Sequence, residues 1–150
     1  MTARENKKCP LIVFFTIFAV ISFFMSPVVK AEVMFIVNAS VQQDVLSKSE
    51  IKKIFLGDTL VWPDGQEIEL VTQAKSDIQK EFVKIYTQKT TSQFSNYWRR
   101  IVFSGKGMIP KSFFTDKEVI NFVKSTKGAI GYISPQETIN DVKTITVSDN

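Results

Sequence analysis

The sequence predicts an α/β fold in which a mixed or mostly parallel sheet is flanked by about four helices. Short apolar runs typical of buried strands alternate along the chain with longer segments whose apolar residues recur at helical spacing. Repeats, low-complexity stretches and linkers are absent, and about 119 residues remain after a predicted leader. That length is enough for one domain that folds without disulfides.

The chain is predicted to open its domain with a buried strand and a short helix. VMFIVNA, residues 33–39, is a continuous apolar run of the kind found in strands covered on both faces. A helix from about Ser47 to Leu56 follows, because Ser47 and Glu50 match a capping box and Gly57 is a common helix stop. Its buried stripe consists of Ile51, Ile54 and Phe55.

A turn and a second strand come next. WPDG at 62–65 has Pro at its second position and Gly at its fourth, which is typical of a β-turn. EIELVTQ at 67–73 alternates, with Ile68, Leu70 and Thr72 on one side, so it is predicted to turn a single face to the core.

Helical spacing then continues for about thirty residues. A break at KTTS, residues 89–92, divides the segment into two amphipathic helices, and the second is predicted to end at the loop 105–107. The first apolar stripe is Ile78, Phe82, Ile85 and Tyr86; the second is Phe94, Tyr97, Trp98, Ile101 and Val102.

A fourth helix and two strands complete the predicted domain. Thr115 and Glu118 match a capping box, and Gly128 stops the helix. AIGYIS at 129–134 is predicted to be a buried strand, and VKTITV at 142–147 a strand at an edge of the sheet. The inward stripe of the fourth helix is Val119, Phe122 and Val123.

Residues 1–31 have the order of a cleaved secretory signal peptide. A basic start is followed by the apolar run LIVFFTIFAVISFF and by SPVVKA, with small or apolar Val29 and Ala31 before a cut at Glu32. The apolar run is shorter than the ~20 residues that a membrane-spanning helix needs. The mature protein is therefore predicted to be residues 32–150, located in the periplasm.

Removing the leader changes which chemistry is available. Four basic residues and one acidic residue leave with it, so the net charge falls from +4 to +1, which does not suggest a nucleic-acid surface. The only cysteine, Cys9, leaves too, and the chain has no histidine. Disulfides, cysteine nucleophiles, Ser-His-Asp triads and thiolate or imidazole metal sites are thereby excluded, and neither a metal nor a cofactor is predicted.

Two blocks of sequence resemble the substrate-binding proteins of bacterial phosphate ABC transporters. They are LSKSEIKKIFLGDTLVWPDGQEIELV at 46–71 and KGAIGYIS at 127–134. The resemblance implies a periplasmic binding protein fold of the second type, in which two α/β lobes clamp an oxyanion. Family members are about twice as long, so this chain is similar to shortened, single-lobe relatives.

The resemblance carries over one ligand position. In the full-length family an arginine precedes a Ser-Gly-Thr triplet at a helix N-terminus and holds the phosphate. In VTQAKSDIQKEF, Ser76 matches the serine, Asp77 and Ile78 replace the glycine and threonine, and the arginine falls on Thr72 or Gln73. The resemblance therefore implies weaker binding than in the full-length proteins.

Four residues are the candidate ligand-binding residues. Ser76 begins a helix, where free N–H groups suit an anion, and Lys75 could offset the charge of Asp77. Asn38 and Ser40 follow the first strand, and ligands collect outside the carboxyl ends of strands in open α/β sheets. Each also has a structural interpretation, because Ser76 with Gln79 matches a capping box, and Asn and Ser are common in loops.

For the other polar and aromatic clusters, a structural role is favoured over ligand binding or catalysis. The loop Ser104–Gly107 could bind an anion in a nest of backbone amides or simply end a helix. Trp62 and Trp98 could stack on a ligand but are expected to be buried. Glu67 and Glu69 are interpreted as a solvated face rather than as a catalytic pair.

The sequence as a whole predicts an exported solute-binding module rather than an enzyme. It would bind phosphate or a similar oxyanion, and a membrane permease or a second copy of the chain would complete its cleft. The alternative is a lobe without a ligand that serves as a protein–protein interaction or sensing element in the envelope. A Ser-Lys hydrolase finds no convincing motif, since Ser49 and Lys52 lie within a predicted helix.

Overall fold

The computed structural model describes residues 32–149, so the predicted signal peptide lies outside the described residues. Residues 32–149 form a compact unit. No helix within the described part of the chain is long and apolar enough to cross a membrane. The strands are β1 (Met34–Val37), β2 (Val45–Ser47), β3 (Glu69–Gln73), β4 (Lys111–Phe113), β5 (Ala129–Ile133) and β6 (Lys143–Ser148); the helices are α1 (Lys48–Phe55), α2 (Asp77–Phe82), α3 (Thr91–Phe103) and α4 (Asp116–Ser125).

The six strands form one mixed sheet in the order β2-β6-β1-β5-β3-β4. β1 is antiparallel to both of its neighbours, whereas the β2–β6, β3–β5 and β3–β4 pairs are parallel. Five strands therefore run in one direction and β1 runs against them. We call the end at which the five strands finish the carboxyl edge, and the opposite end the amino edge.

Helices cover both faces of the sheet. The larger core lies on the face covered by α1, α2 and α3, and its centre is aromatic: the Phe82 ring stacks on Tyr132, with 4.0 Å between centroids. α4 packs on the other face through Val119 and Val123, against Ile36 and Val71. The mixed α/β sheet and its four helices confirm the predicted fold class.

β5 passes through the middle of the sheet and touches both cores. All five of its residues are buried, as the apolar run predicts. Gly131 has no room for a side chain, because a Cβ there would collide with Val71 and Val119. The Gly in AIGYIS thus allows α4 to pack closely against the sheet.

Two strands differ from the prediction, one in its position within the sheet and the other in the burial of its faces. The segment at 142–147 was predicted to lie at an edge, but β6 pairs with β1 on one side and β2 on the other, because the three-residue β2 covers it. β3 was predicted to turn one face to the core, but its Val71 is fully buried beneath α4 while Leu70 packs against the larger core. Both faces of β3 are therefore covered.

The second predicted helix changes its winding in the middle. After α2, residues Val83–Thr87 form a π-helical turn, and the Thr87 hydroxyl donates to the Val83 carbonyl at 2.6 Å. Gln88, with a φ of 56°, ends the segment in the left-handed region. The stripe of apolar residues predicts where the helix lies but carries no information on this change, because Phe82 and Tyr86 still face the core.

Helix starts follow the sequence closely. Two of the predicted capping boxes are complete, Ser47 with Glu50 and Thr115 with Glu118. A third box joins Thr90 to Gln93 at the start of α3. These hydroxyl and carboxamide or carboxylate pairs satisfy N–H groups that have no acceptor within the helix.

Candidate functional site

Three helices begin at the carboxyl edge. α1, α2 and α4 each follow directly from a strand that ends there, namely β2, β3 and β4. Their N-cap residues are Ser47, Ser76 and Thr115. This edge therefore collects three helix N-termini, each carrying partial positive charge and N–H groups directed outward.

Carboxylates of the chain itself occupy two of these N-termini. Glu50 Oε2 accepts from the Ser47 N–H at 2.7 Å, and that bond is the main reason that the pKa of Glu50 is lowered. Glu118 Oε2 accepts from the Thr115 hydroxyl at 2.9 Å, the largest of the contacts that lower its pKa, and also from the Phe114 N–H. The N-termini of α1 and α4 are thus each capped by a carboxylate of the protein itself.

The N-terminus of α2 is arranged differently. Ser76 Oγ accepts from the Gln79 N–H at 3.0 Å, but the Gln79 side chain accepts from the Lys75 N–H rather than from Ser76. The predicted capping box is therefore only half formed. Asp77, the first helical residue, pairs with Lys80 at 2.7 Å, and this contact lowers the pKa of Asp77.

Lys75 is next to the start of α2 in a conformation unusual for its residue type. Its φ is 53°, in the left-handed region, and its side chain is exposed. The four ion pairs formed within residues 32–149 use Lys48, Lys80, Lys124 and Lys143. The Lys75 ammonium is therefore not neutralised by a carboxylate of the described chain.

A buried polar network lies beside this helix start. Gln73, at the end of β3, is 2% exposed, and its amide contacts the carboxylate of Asp116. Asp116 also accepts from the Ser134 N–H at 3.2 Å, and the Gln73 N–H donates to the Tyr132 hydroxyl at 3.3 Å. Burial raises the pKa of Tyr132, so its hydroxyl stays protonated. The network joins the ends of β3 and β5 to the start of α4.

Asn38 and Ser40 lie at the other end of the sheet. Because β1 runs against its neighbours, Asn38 follows Val37 to the amino edge, where its N–H donates to the Ala129 carbonyl at 2.9 Å. From Ala129 to the end of β5 is about 13 Å at ~3.3 Å per residue. Ser76 is therefore too far from Asn38 and Ser40 for one small ion to contact all three residues.

Both residues already have partners within the protein. The Asn38 amide donates to the carbonyls of Val123 at 2.7 Å and Lys124 at 3.0 Å, while its oxygen accepts from the Ser40 N–H. Ser40 Oγ contacts Gln66 and accepts from the Gly128 N–H at 3.2 Å. Asn38 thus satisfies the last carbonyls of α4, and the pair links the loop after β1 to the start of β5.

The remaining candidates, Trp62, Trp98 and the loop Ser104–Gly107, have structural roles. Trp62 is buried, as expected, and its indole N–H donates to the Gly128 carbonyl at 3.0 Å. Trp98 is also buried. Ser104–Gly107 ends α3, with the Ser104 hydroxyl bonded to the Ile101 carbonyl. Within residues 32–149, no group of three acidic side chains is placed to hold a metal ion.

Sequence reasoning missed the network that joins Gln73, Asp116 and Ser134. Gln73 and Ser134 end predicted strands, and Asp116 begins a predicted helix. These positions were the evidence that the sequence offered. What the sequence lacked was the position of β4 beside β3, because β4 has only three residues. Without β4, nothing places the start of α4 next to the end of β3.

Comparison with known proteins gives a structural answer and no sequence family. Neither the family models nor the curated proteins contain a match. Among solved structures, the chain is similar to PstS from Borrelia burgdorferi, with 15% identity over 77% of this chain and 47% of that one, at a TM-score of 0.61. An ABC-type phosphate transport receptor from Vibrio cholerae gives 17% identity over 77% and 45%, also at 0.61.

A Clostridium perfringens protein solved with bound phosphate is similar too, with 17% identity over 77% of this chain and 44% of the other, at a TM-score of 0.58. At these identities the likeness shows the fold alone. The chain has the architecture of part of a periplasmic binding protein lobe, and it spans less than half the length of these three proteins.

Proposed function

We propose that the protein is a non-enzymatic solute-binding module that takes phosphate or a similar oxyanion at the start of α2. The observation that carries the proposal is the difference between the helix N-termini at the carboxyl edge. α1 and α4 are closed by Glu50 and Glu118, whereas α2 has Ser76 and the unpaired cation of Lys75. An anion is attracted where N–H groups and positive charge lack an internal partner.

The solved neighbours support this ligand class. By their descriptions, the Clostridium perfringens protein is a phosphate ABC transporter substrate-binding protein with bound phosphate, and the Vibrio cholerae protein is an ABC-type phosphate transport receptor. A solute-binding role requires no chemical conversion of the ligand, and residues 32–150 contain neither cysteine nor histidine.

We expect weak binding, because no charged residue stands at the positions where the resembling family has its arginine. Thr72 and Gln73, where the resembling family has its arginine, are buried and bonded to the Lys111 carbonyl and to Asp116. A charge-assisted bond is worth roughly 1.5–3 kcal/mol, so its loss reduces affinity by about ten- to more than a hundredfold. A second copy of the chain or a membrane permease would supply the missing wall, in the periplasm after cleavage of the leader.

A second candidate function rests on Asp116. Its carboxylate lies beside the end of β3 and accepts bonds that an oxyanion could otherwise use. A negative charge at that place opposes anion binding. This observation favours a lobe that binds no solute and serves as an interaction or sensing element in the envelope.

Titration of the protein that begins at Glu32 with phosphate and with sulfate tests the first candidate. We expect calorimetry to give a Kd of about a millimolar that weakens as salt is added. Ser76→Asp keeps a good N-cap residue while placing a negative charge at the site, so it should abolish binding without loss of stability. Lys75→Asn removes the cation and keeps a residue type that tolerates the left-handed conformation.

Thr90→Ala is the matched control, because it removes an N-cap hydroxyl of the same kind at the start of α3. It should destabilise the protein by about 1 kcal/mol and leave the anion affinity unchanged. Absence of heat and of a thermal shift at an anion concentration roughly ten times the expected Kd would favour the interaction element instead.

A further inference from the structure

The end of α3 and the loop after it expose large apolar side chains. Phe103 is 87% exposed, Met108 is 88% exposed and Ile109 is 59% exposed. Single exposed apolar residues are common on soluble proteins. Here three exposed apolar side chains lie within seven residues, and two of them are almost fully in water. We call this segment, residues 103–109, the α3 loop.

Backbone hydrogen bonds fold this loop onto the last turn of its helix. The Gly105 N–H donates to the Val102 carbonyl at 2.9 Å, and the Lys106 N–H donates to the Ile101 carbonyl at 3.2 Å. Gly107 lies against Ile101, and Pro110 is buried. The α3 loop is therefore anchored at both ends while the side chains of Phe103 and Met108 project into solvent.

The charge around the α3 loop has one sign. Residues 82–115 contain six basic residues and no aspartate or glutamate. Arg99, Arg100 and Lys106 are exposed, and the ion pairs formed within residues 32–149 use other lysines. An exposed apolar patch thus lies among cations that carboxylates of the described chain do not neutralise.

We propose that the α3 loop is a docking surface for an anionic lipid bilayer. Apolar and aromatic side chains flanked by Lys and Arg are the chemistry that binds in the headgroup region: the apolar groups enter the acyl boundary and the cations stay with the headgroup phosphates. A second copy docked through the same patch would bring like charges together, which disfavours self-association here.

This surface is separate from the proposed anion site. The loop leads into β4 at Lys111, and β4 runs parallel to β3, so the α3 loop lies towards the amino edge. Ser76 follows β3 at the carboxyl edge. The lipid proposal therefore does not depend on the oxyanion proposal, and each can fail alone.

Sedimentation with vesicles tests the proposal on protein that begins at Glu32, which contains both cores in full. Binding should be strong to vesicles of phosphatidylcholine with phosphatidylglycerol and weak to phosphatidylcholine alone. Phe103→Ser with Met108→Ser should lower the partition coefficient by more than about tenfold. Replacing Arg99, Arg100 and Lys106 by Gln should lower it by about fivefold per cation.

Matched controls separate the α3 loop from the rest of the surface. Leu60→Ser changes an exposed apolar residue outside the loop, and a triple exchange of Lys53, Lys117 and Lys127 to Gln removes the same charge elsewhere. Both should bind as the unchanged protein does, and so should Ser76→Asp. Circular dichroism and thermal unfolding check that every variant is folded.

Three results would overturn the proposal. The first is no binding to the anionic vesicles at low ionic strength. The second is binding that the serine variants leave unchanged, because the basic residues alone would then account for it. The third is a protein that binds native envelope vesicles but not vesicles of pure lipid. If protease treatment of the native vesicles then removes the binding, the partner is a protein.

Discussion

At the scale of single residues, polar side chains that follow strands have different roles according to their position on the sheet. Asn38 and Ser76 both follow strands and both bond to helix backbones, Asn38 to the final carbonyls of α4 and Ser76 to an N–H of α2. Asn38 is buried with its amide satisfied, so it holds the fold together. Ser76 is partly exposed beside an unpaired lysine, which makes it the better ligand candidate.

Phe82 is the residue on which the larger core depends most clearly. Its ring is fully buried and lies 4.0 Å from Tyr132 and 4.7 Å from Phe55, measured between centroids. We expect Phe82→Ala to reduce the free energy of unfolding in urea by about 3–5 kcal/mol, because it leaves a cavity among aromatic rings. Phe103→Ala, at an exposed position, should cost less than about 0.5 kcal/mol. A loss below about 1 kcal/mol for Phe82→Ala would contradict the assigned helix face.

At the scale of elements, acidic capping residues connect helix stability to pH. Glu50 and Glu118 each accept backbone and hydroxyl hydrogen bonds at the start of a helix, and these bonds lower both pKa values below 4.5. A carboxyl with a lowered pKa in the folded protein adds stability that is present above the unfolded pKa. That stability is lost as the pH falls through the folded pKa.

Replacing both caps tests this dependence. We expect the double variant Glu50→Gln and Glu118→Gln to be less stable than the unchanged protein at about pH 6 and similar to it at about pH 3. Urea unfolding at the two pH values measures the difference. Glu67→Gln removes an exposed carboxylate outside any capping pair and serves as the control. An equal loss of stability for the double variant at both pH values would contradict the linkage.

At the scale of the whole molecule, the protein has a fold that corresponds to less than half of each of its solved neighbours. The carboxyl edge gathers the starts of α1, α2 and α4, and the amino edge holds Asn38 and Ser40. The proposed anion site at the carboxyl edge and the proposed lipid surface of the α3 loop therefore lie on different parts of the molecule.

Processing of the leader is a prediction about the whole chain. The basic, apolar and small-residue order of residues 1–31 predicts cleavage before Glu32. N-terminal sequencing of the protein from the cell envelope should therefore begin at or within a few residues of Glu32. Protein recovered from the cytoplasm serves as the uncleaved reference. An intact Met1 in the membrane fraction would instead mean that the segment is an anchor.

The sequence by itself determined the elements whose signals are local. Helical stripes, capping boxes and Gly stops predicted the four helices, and continuous apolar runs predicted β1 and β5. The burial of Trp62 and Trp98 followed from the same reasoning. These features depend on neighbours a few residues apart, so the chain carries their signal without reference to the rest of the fold.

Only the tertiary structure decided which ends of the elements meet. β2 and β4 have three residues each, too few for a periodic signal, yet β2 places β6 inside the sheet and β4 brings the start of α4 to the end of β3. The reversed direction of β1 sends Asn38 and Ser40 to the amino edge. Strand order and direction arise from pairing between residues far apart in the chain, and local sequence patterns do not record that pairing.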